Sequence, residues 1–270
     1  MTNEKVRARG WKRFYIALIF IFMYAPIFLL IIQSFNKSKS RGHWGGFTLG
    51  WYVSLFHDAD VMKAFGNTIL LAVISSLVAV VIGTMAVIAM SRMKMKSRQL
   101  WLAVTNVPML NADIVTGVSL MLLFITLRIE LGFGTVLLAH ITFNIPYVIL
   151  NILPRYRELN PHIYEAALDL GATPAQAFFK TVLPEIAPGI TSGGLMAFTM
   201  SLDDFIITHF TTGAGMATLP TKIYAEVKLG IKPEMYALSA IIFVTVLFLL
   251  MMVNRVQEGS ENKRKAGEEA

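Results

Sequence analysis

Six charge-poor apolar runs constrain this chain more than any other feature of its sequence. They lie at about Phe14–Ile32, Asn67–Met90, Leu100–Leu127, Leu131–Leu153, Ile186–Phe210 and Tyr236–Val253. Crossing about 30 Å of hydrocarbon takes a helix of about 20 apolar residues, and in that medium each backbone N–H and C=O must find its partner inside the protein. The runs therefore predict an all-α membrane protein with about six transmembrane helices. Composition agrees: 55% of the 270 residues are hydrophobic and 15% are charged, whereas a soluble domain is about a quarter charged. Pro26, Pro108 and Pro146 fall inside spans, where neighbouring helices can satisfy the freed backbone groups.

The basic start, Met1 to Arg13, has the outline of a signal peptide, but the first run exceeds the about 7 to 15 apolar residues of a cleaved segment. It also lacks a small-x-small exit and is followed by more spans, so it is read as the first membrane helix. The chain has no cysteine, which excludes a disulfide framework, thiolate catalysis and Cys-ligated metal.

A net charge of +7 in so apolar a chain reads as loops held on the cytoplasmic side, not as a nucleic-acid surface. Of the 24 Lys and Arg, 16 fall in the set of loops that includes both termini and 8 in the other set. Both termini are therefore expected in the cytoplasm, with the protein multi-pass in the inner (plasma) membrane and lipid as its solvent. The chain is expected to be a single transmembrane domain, 1–270. It comprises an N-terminus 1–13, a six-helix membrane domain 14–253 that includes a cytoplasmic loop 154–185, and a polar tail 254–270. From Gln257 the tail has no periodicity and is expected to be disordered. The outer segment Phe47–Phe65, with Trp51, Leu55, Phe56 and Met62, suits either a helix lying on the membrane surface or, as the preferred reading, a packing elbow.

The cytoplasmic loop is the most specific stretch. Asn160-Pro161 is an N-cap followed by a residue pre-set for the first helical position, and Gly171 supplies a C-terminal stop. Thr173-Pro174-Ala175-Gln176 repeats the logic as a capping box. Two short helices are predicted, the second ending before Pro184. Ile163, Ala166, Ala167 and Leu170 share one face of the first; Ala175, Phe178, Phe179 and Val182 share one face of the second. Faces so short must pack on the bundle, on each other, or in a partner's groove.

Glu165-Ala166-Ala167, three residues, Gly171 and, after a gap, Leu183-Pro184 resemble the EAA loop of the membrane subunits of ATP-binding-cassette importers. The family's isoleucine position is Thr181 here, a departure that leaves the spacing intact. The resemblance extends over roughly Tyr24–Ala240 and is closest to the permeases of spermidine and putrescine importers. It is carried by Ala112-Asp113-Ile114-Val115, His140-Ile141-Thr142-Phe143, Glu165 to Thr173, Ala197 to Asp204, and Thr218-Leu219-Pro220. It implies a type I importer permease that pairs with a second permease subunit and with ATP-binding-cassette ATPase subunits, two in number. An extracytoplasmic polyamine-binding protein would deliver the substrate. By resemblance, Glu165, Ala166, Ala167 and Gly171 dock on the ATPase.

Asp113, Asp203 and Asp204 lie within or at the ends of spans, where a central charge costs about 2.5 to 3.5 kcal/mol. Such carboxylates face a cavity or a partner, and they suit a polycation whose ammonium groups need counter-charges outside bulk water. These three are the candidate pathway residues, with capping of a helix end as the rival role for Asp203 or Asp204. Phe205, Phe210 and Trp51 offer faces for cation–π contact, although aromatics near an interface more often serve as anchors.

The chain has no G-x-x-x-x-G-K-[ST], so ATP hydrolysis is assigned to a partner subunit and no cofactor is expected. An ABC importer permease for another small cationic or polar solute is the alternative. A secondary transporter would show repeated halves and a coupling-ion site, and neither is seen. His43, His57, His140, His162 and His209 fall on opposite faces of the predicted topology and form no H-E-x-x-H, so no catalytic or metal site is assigned.

Overall fold

The computed structural model describes the chain apart from residues 1, 39–41, 161, 231 and 269–270; the side chains of residues 2–13, 253 and 256–268 also lie outside the description. Among the described residues the regular structure is helical. In order these are α1 (Thr2–Ser34), α2 (Gly50–His57), α3 (Ala59–Ser91), α4 (Met95–Leu110), α5 (Asp113–Thr126), α6 (Phe133–Glu158), α7 (His162–Asp169) and α8 (Pro174–Ala177). A π-helical turn, Phe178–Val182, leads into α9 (Leu183–Asp203), followed by α10 (Ile206–Thr211), α11 (Leu219–Leu229) and α12 (Pro233–Glu268).

Among the described residues four helices are long and apolar enough to cross a membrane: Phe14–Ser34, Ala59–Ser91, Phe133–Glu158 and Pro233–Met252. A fifth span arises if α4 and α5, bent by 102° at their junction, count together. The sequence count of six is corrected to four or five by this measure. The expected span Ile186–Phe210 is instead α9 and α10, separated at Asp204-Phe205. Thr191, Ser192, Gly193 and Gly194 dilute its hydropathy. The physical reason is that α9 packs on protein: a Cβ on Gly189 would lie 2.9 Å from Asn151 O, and one on Gly193 would lie 3.2 Å from the Val148 Cα. Small residues let membrane helices approach this closely.

Two further expectations change. Polar residues at the C-terminal end continue α12 as helix to Glu268; Gln, Glu, Lys, Arg and Ala dominate it, and these are good helix formers even without an apolar stripe. The second loop helix does not end before Pro184. It continues through the π turn, where the Leu183 N–H donates to Phe178 O. Proline lacks an N–H and crowds the carbonyl four residues back, and a widened turn accommodates both effects.

The chain divides into two compact units. In the first, Met1–Met62 with Ile223–Val244, the fully buried Asn36 organises the outer loop. Its side chain donates to Gln33 Oε1 and His43 O, and accepts from the N–H groups of Ser38 and Gly45. Trp51 donates its indole N–H to Asn36 O at 2.8 Å, and Leu55 of α2 is buried, so α2 packs on protein within this unit. In the second unit, Lys63–Lys222 with Thr245–Ala270, α6 is central. Val148, Ile149, Ile152 and Leu153 form a core with Ala79, Val87 and Met90 of α3 and with Ile186 and Ala197 of α9.

Candidate functional site

All three candidate pathway carboxylates line one cleft of about 400 Å³ in the second unit, together with Thr116, Tyr147 and Phe205. Two interrupted helices bring them there. Pro108 and Asn111 precede the bend that ends α4, and Asp113 opens α5, where the positive end of the helix dipole favours a carboxylate. Asp203 closes α9 and Asp204 precedes α10.

Adjacent in sequence, Asp203 and Asp204 differ in surroundings. Asp204 is the better bound: Oδ1 accepts the Ile207 N–H at 3.3 Å, Oδ2 accepts the Thr208 N–H and hydroxyl, both at 2.8 Å, and His140 Nε2 lies 3.4 Å from Oδ2. It caps α10, the structural role weighed from the sequence. Asp203 is exposed in the cleft at the C-terminal end of a helix, where the backbone dipole opposes negative charge.

Phe205 lines the cleft and stacks on His209, with centroids 5.3 Å apart. Phe210 lies against Gly117. Sequence reasoning passed over Tyr147 and Thr116. His140 is fully buried with both ring nitrogens engaged, in keeping with the reading of a satisfied core histidine. The sequence placed it in a resembling segment and among five histidines to which no catalytic or metal role was assigned.

The loop residues form a second, open surface. Gly171 has φ +85°, with its N–H on Leu168 O and the Ala172 N–H on Ala167 O, the paired bonds of a Schellman stop. Nothing lies within 4 Å of where its Cβ would be. Leu170 is 90% exposed. Ala166 is exposed and Ala167 half-buried. Glu165, also exposed, pairs with His162 at 3.3 Å. Asn160 Oδ1 caps the His162 N–H at 3.0 Å; Pro161, its expected companion, lies outside the described residues. Thr173 and Gln176 form the expected reciprocal capping box. Val182 and Ala177 are buried while Phe179 is 63% exposed, so the second helix's face divides between the bundle and the open side.

Residues 79–260 match the model of the family described as Binding-protein-dependent transport system inner membrane component. The chain belongs to that family. Within it, the Putrescine transport system permease protein PotI of Escherichia coli strain K12 is 39% identical over 253 residues, covering 91% of this chain and 90% of that protein. The Spermidine/putrescine transport system permease protein PotC of the same strain is 35% identical over 237 residues, 88% and 90% of the two chains. Among solved structures, a bacterial ABC transporter involved in the import of the acidic polysaccharide alginate superposes with a TM-score of 0.67 at 18% identity, over 97% of this chain and 99% of that one. An amino acid ABC transporter solved with histidines gives 0.57 at 18% identity, over 78% and 99%. The fold is that of type I ABC importer permeases, as the EAA spacing implied, and the two relatives named above are transport permeases.

Proposed function

We propose that this chain is the permease subunit of an ATP-driven importer that moves polyamines of the putrescine and spermidine class into the cytoplasm. The observation that carries the reading is the convergence of Asp113, Asp203 and Asp204 on one cleft in a chain where charge is scarce. A linear di- or triammonium ion entering a water-poor passage needs a counter-charge for each nitrogen, and the aromatic faces of Tyr147 and Phe205 suit the same ligand. Kinship to a putrescine and a spermidine/putrescine permease points the same way. Energy arrives from separate ATPase subunits at Glu165, Ala166, Ala167 and Gly171, with a second permease completing the passage and an extracytoplasmic binding protein delivering the polyamine. Both termini and the loop face the cytoplasm.

The test is co-expression with the neighbouring ATPase, permease and binding-protein genes, followed by reconstitution into proteoliposomes. Labelled putrescine or spermidine should accumulate only with ATP and binding protein. Accumulation of neither, with another solute imported by the same complex, would refute the substrate assignment.

A further inference from the structure

Beneath the cleft, polar side chains from four helices form one network of hydrogen bonds outside the helical ladders. His140 of α6 is fully buried; its Nε2 lies 2.9 Å from Thr208 Oγ1 of α10 and its Nδ1 3.1 Å from Ser201 Oγ of α9. The Thr208 hydroxyl also reaches Asp204 Oδ2 at 2.8 Å. Proton directions follow from what each group can do. A carboxylate only accepts, so the single Thr208 proton goes to Asp204. The Thr208 oxygen then accepts from His140, which places a proton on Nε2 and leaves Nδ1 to accept from Ser201. Ser201 Oγ, its own proton given to His140, in turn accepts from Asn144 Nδ2 at 2.8 Å and from the Ser75 hydroxyl of α3 at 2.9 Å. The neutral imidazole satisfies every step.

The function proposed above makes no use of His140. An apolar side chain would fill a fully buried site without the cost of desolvating two ring nitrogens, so holding a histidine there calls for a reason. Thr208 supplies one. A helical threonine hydroxyl can turn back to the carbonyl four residues earlier, here Asp204 O, and release the carboxylate. A donor fixed on its oxygen by His140 holds the hydroxyl proton toward Oδ2 and polarises it.

We propose that His140 is a positioning residue that acts through Thr208 to hold the Asp204 carboxylate at the wall of the cleft. The proposal rests on the permease reading and extends it from the residues lining the cleft to one that does not touch it.

The experiment is labelled putrescine uptake per assembled complex, in the reconstituted full importer, for His140→Leu, His140→Gln, Asp204→Asn and the double variant His140→Leu/Asp204→Asn. His140→Leu should lower uptake about tenfold, the size of one hydrogen bond to a charged group. His140→Gln can donate to Thr208 and accept from Ser201, and should stay within about threefold of wild type. On the Asp204→Asn background His140→Leu should add less than about twofold, because both changes act on one carboxylate.

A structural role alone would lower yield and melting temperature but leave uptake per complex unchanged, or would lower it by the same factor on both backgrounds. Either result overturns the proposal. Should His140→Leu fail to assemble, Thr208→Val removes the relay hydroxyl at nearly constant volume and should give the same loss, again absorbed by Asp204→Asn; normal uptake by Thr208→Val overturns the relay. An Asp204→Asn variant that transports normally sinks the relay and leaves the permease reading standing. A wild-type complex that imports no polyamine sinks both.

Discussion

Asp203→Asn separates a carboxylate placed for a ligand from one placed for the fold. Asp203 ends α9 and lines the cleft, where the helix dipole opposes its charge by about 0.3 to 1 kcal/mol. Neutralising it should leave thermal stability unchanged or raise it slightly. A charge contact to a desolvated ammonium is worth about 2 to 5 kcal/mol when one partner is removed. Asp203 is exposed in the cleft, so the low end applies, and about 2 kcal/mol corresponds to a loss of about thirtyfold. The assay is ATP-dependent uptake of labelled putrescine and spermidine in proteoliposomes, normalised to assembled complex, with melting temperature measured on the same preparation. Unchanged or raised stability together with the uptake loss is the signature of a ligand site. Uptake within about threefold of wild type, or a loss that tracks a lowered melting temperature, refutes the reasoning.

Gly171→Arg should abolish copurification of the ATPase without preventing membrane insertion. Gly171→Asn, which tolerates positive φ, should retain most of it, so an Arg variant that copurifies and transports normally removes the loop from the docking surface. Impermeant thiol reagents should fail to label Ser97→Cys and Gln176→Cys from outside intact cells, and labelling of either would invert the topology. Gly189→Ala places a methyl 2.9 Å from the Asn151 carbonyl oxygen and should cost about 1 to 3 kcal/mol, visible as a lowered melting temperature; an unchanged melting temperature would mean that α6 and α9 can separate freely.

Much of the cleft was legible because scarcity makes charge informative. Asp113, Asp203 and Asp204 stood out in apolar surroundings, and the structure brings all three to one cavity. The three caps of the loop were readable because Asn160, Gly171, Thr173 and Gln176 act on backbone within a few residues of themselves. Where partners are distant in sequence, the reading ran out. Nothing local says that His140 meets Thr208 and Ser201, or that Gly189 and Gly193 of α9 face α6. The scarcity of charge made Ile186–Phe210 read as one span, because a charge-poor run does not distinguish a side chain facing lipid from a glycine against a backbone carbonyl. Pro184 was read as a terminator, since sequence rules treat proline as an end, whereas a π turn carries the helix past it.

That π turn has a mechanical consequence. From Pro174 to Asp203 the backbone winds without a loop, about 30 residues and so about 45 Å of continuous rod. One end carries the capping box beside Gly171 and the other carries Asp203. A helix is stiff along its axis, so a displacement that passes the π turn reaches the carboxylate through helix and not through a loop. The widened turn is the point at which such a rod would bend, which makes Phe178–Val182 its elbow and sets the lever arm toward the cleft at about 20 residues, or about 30 Å.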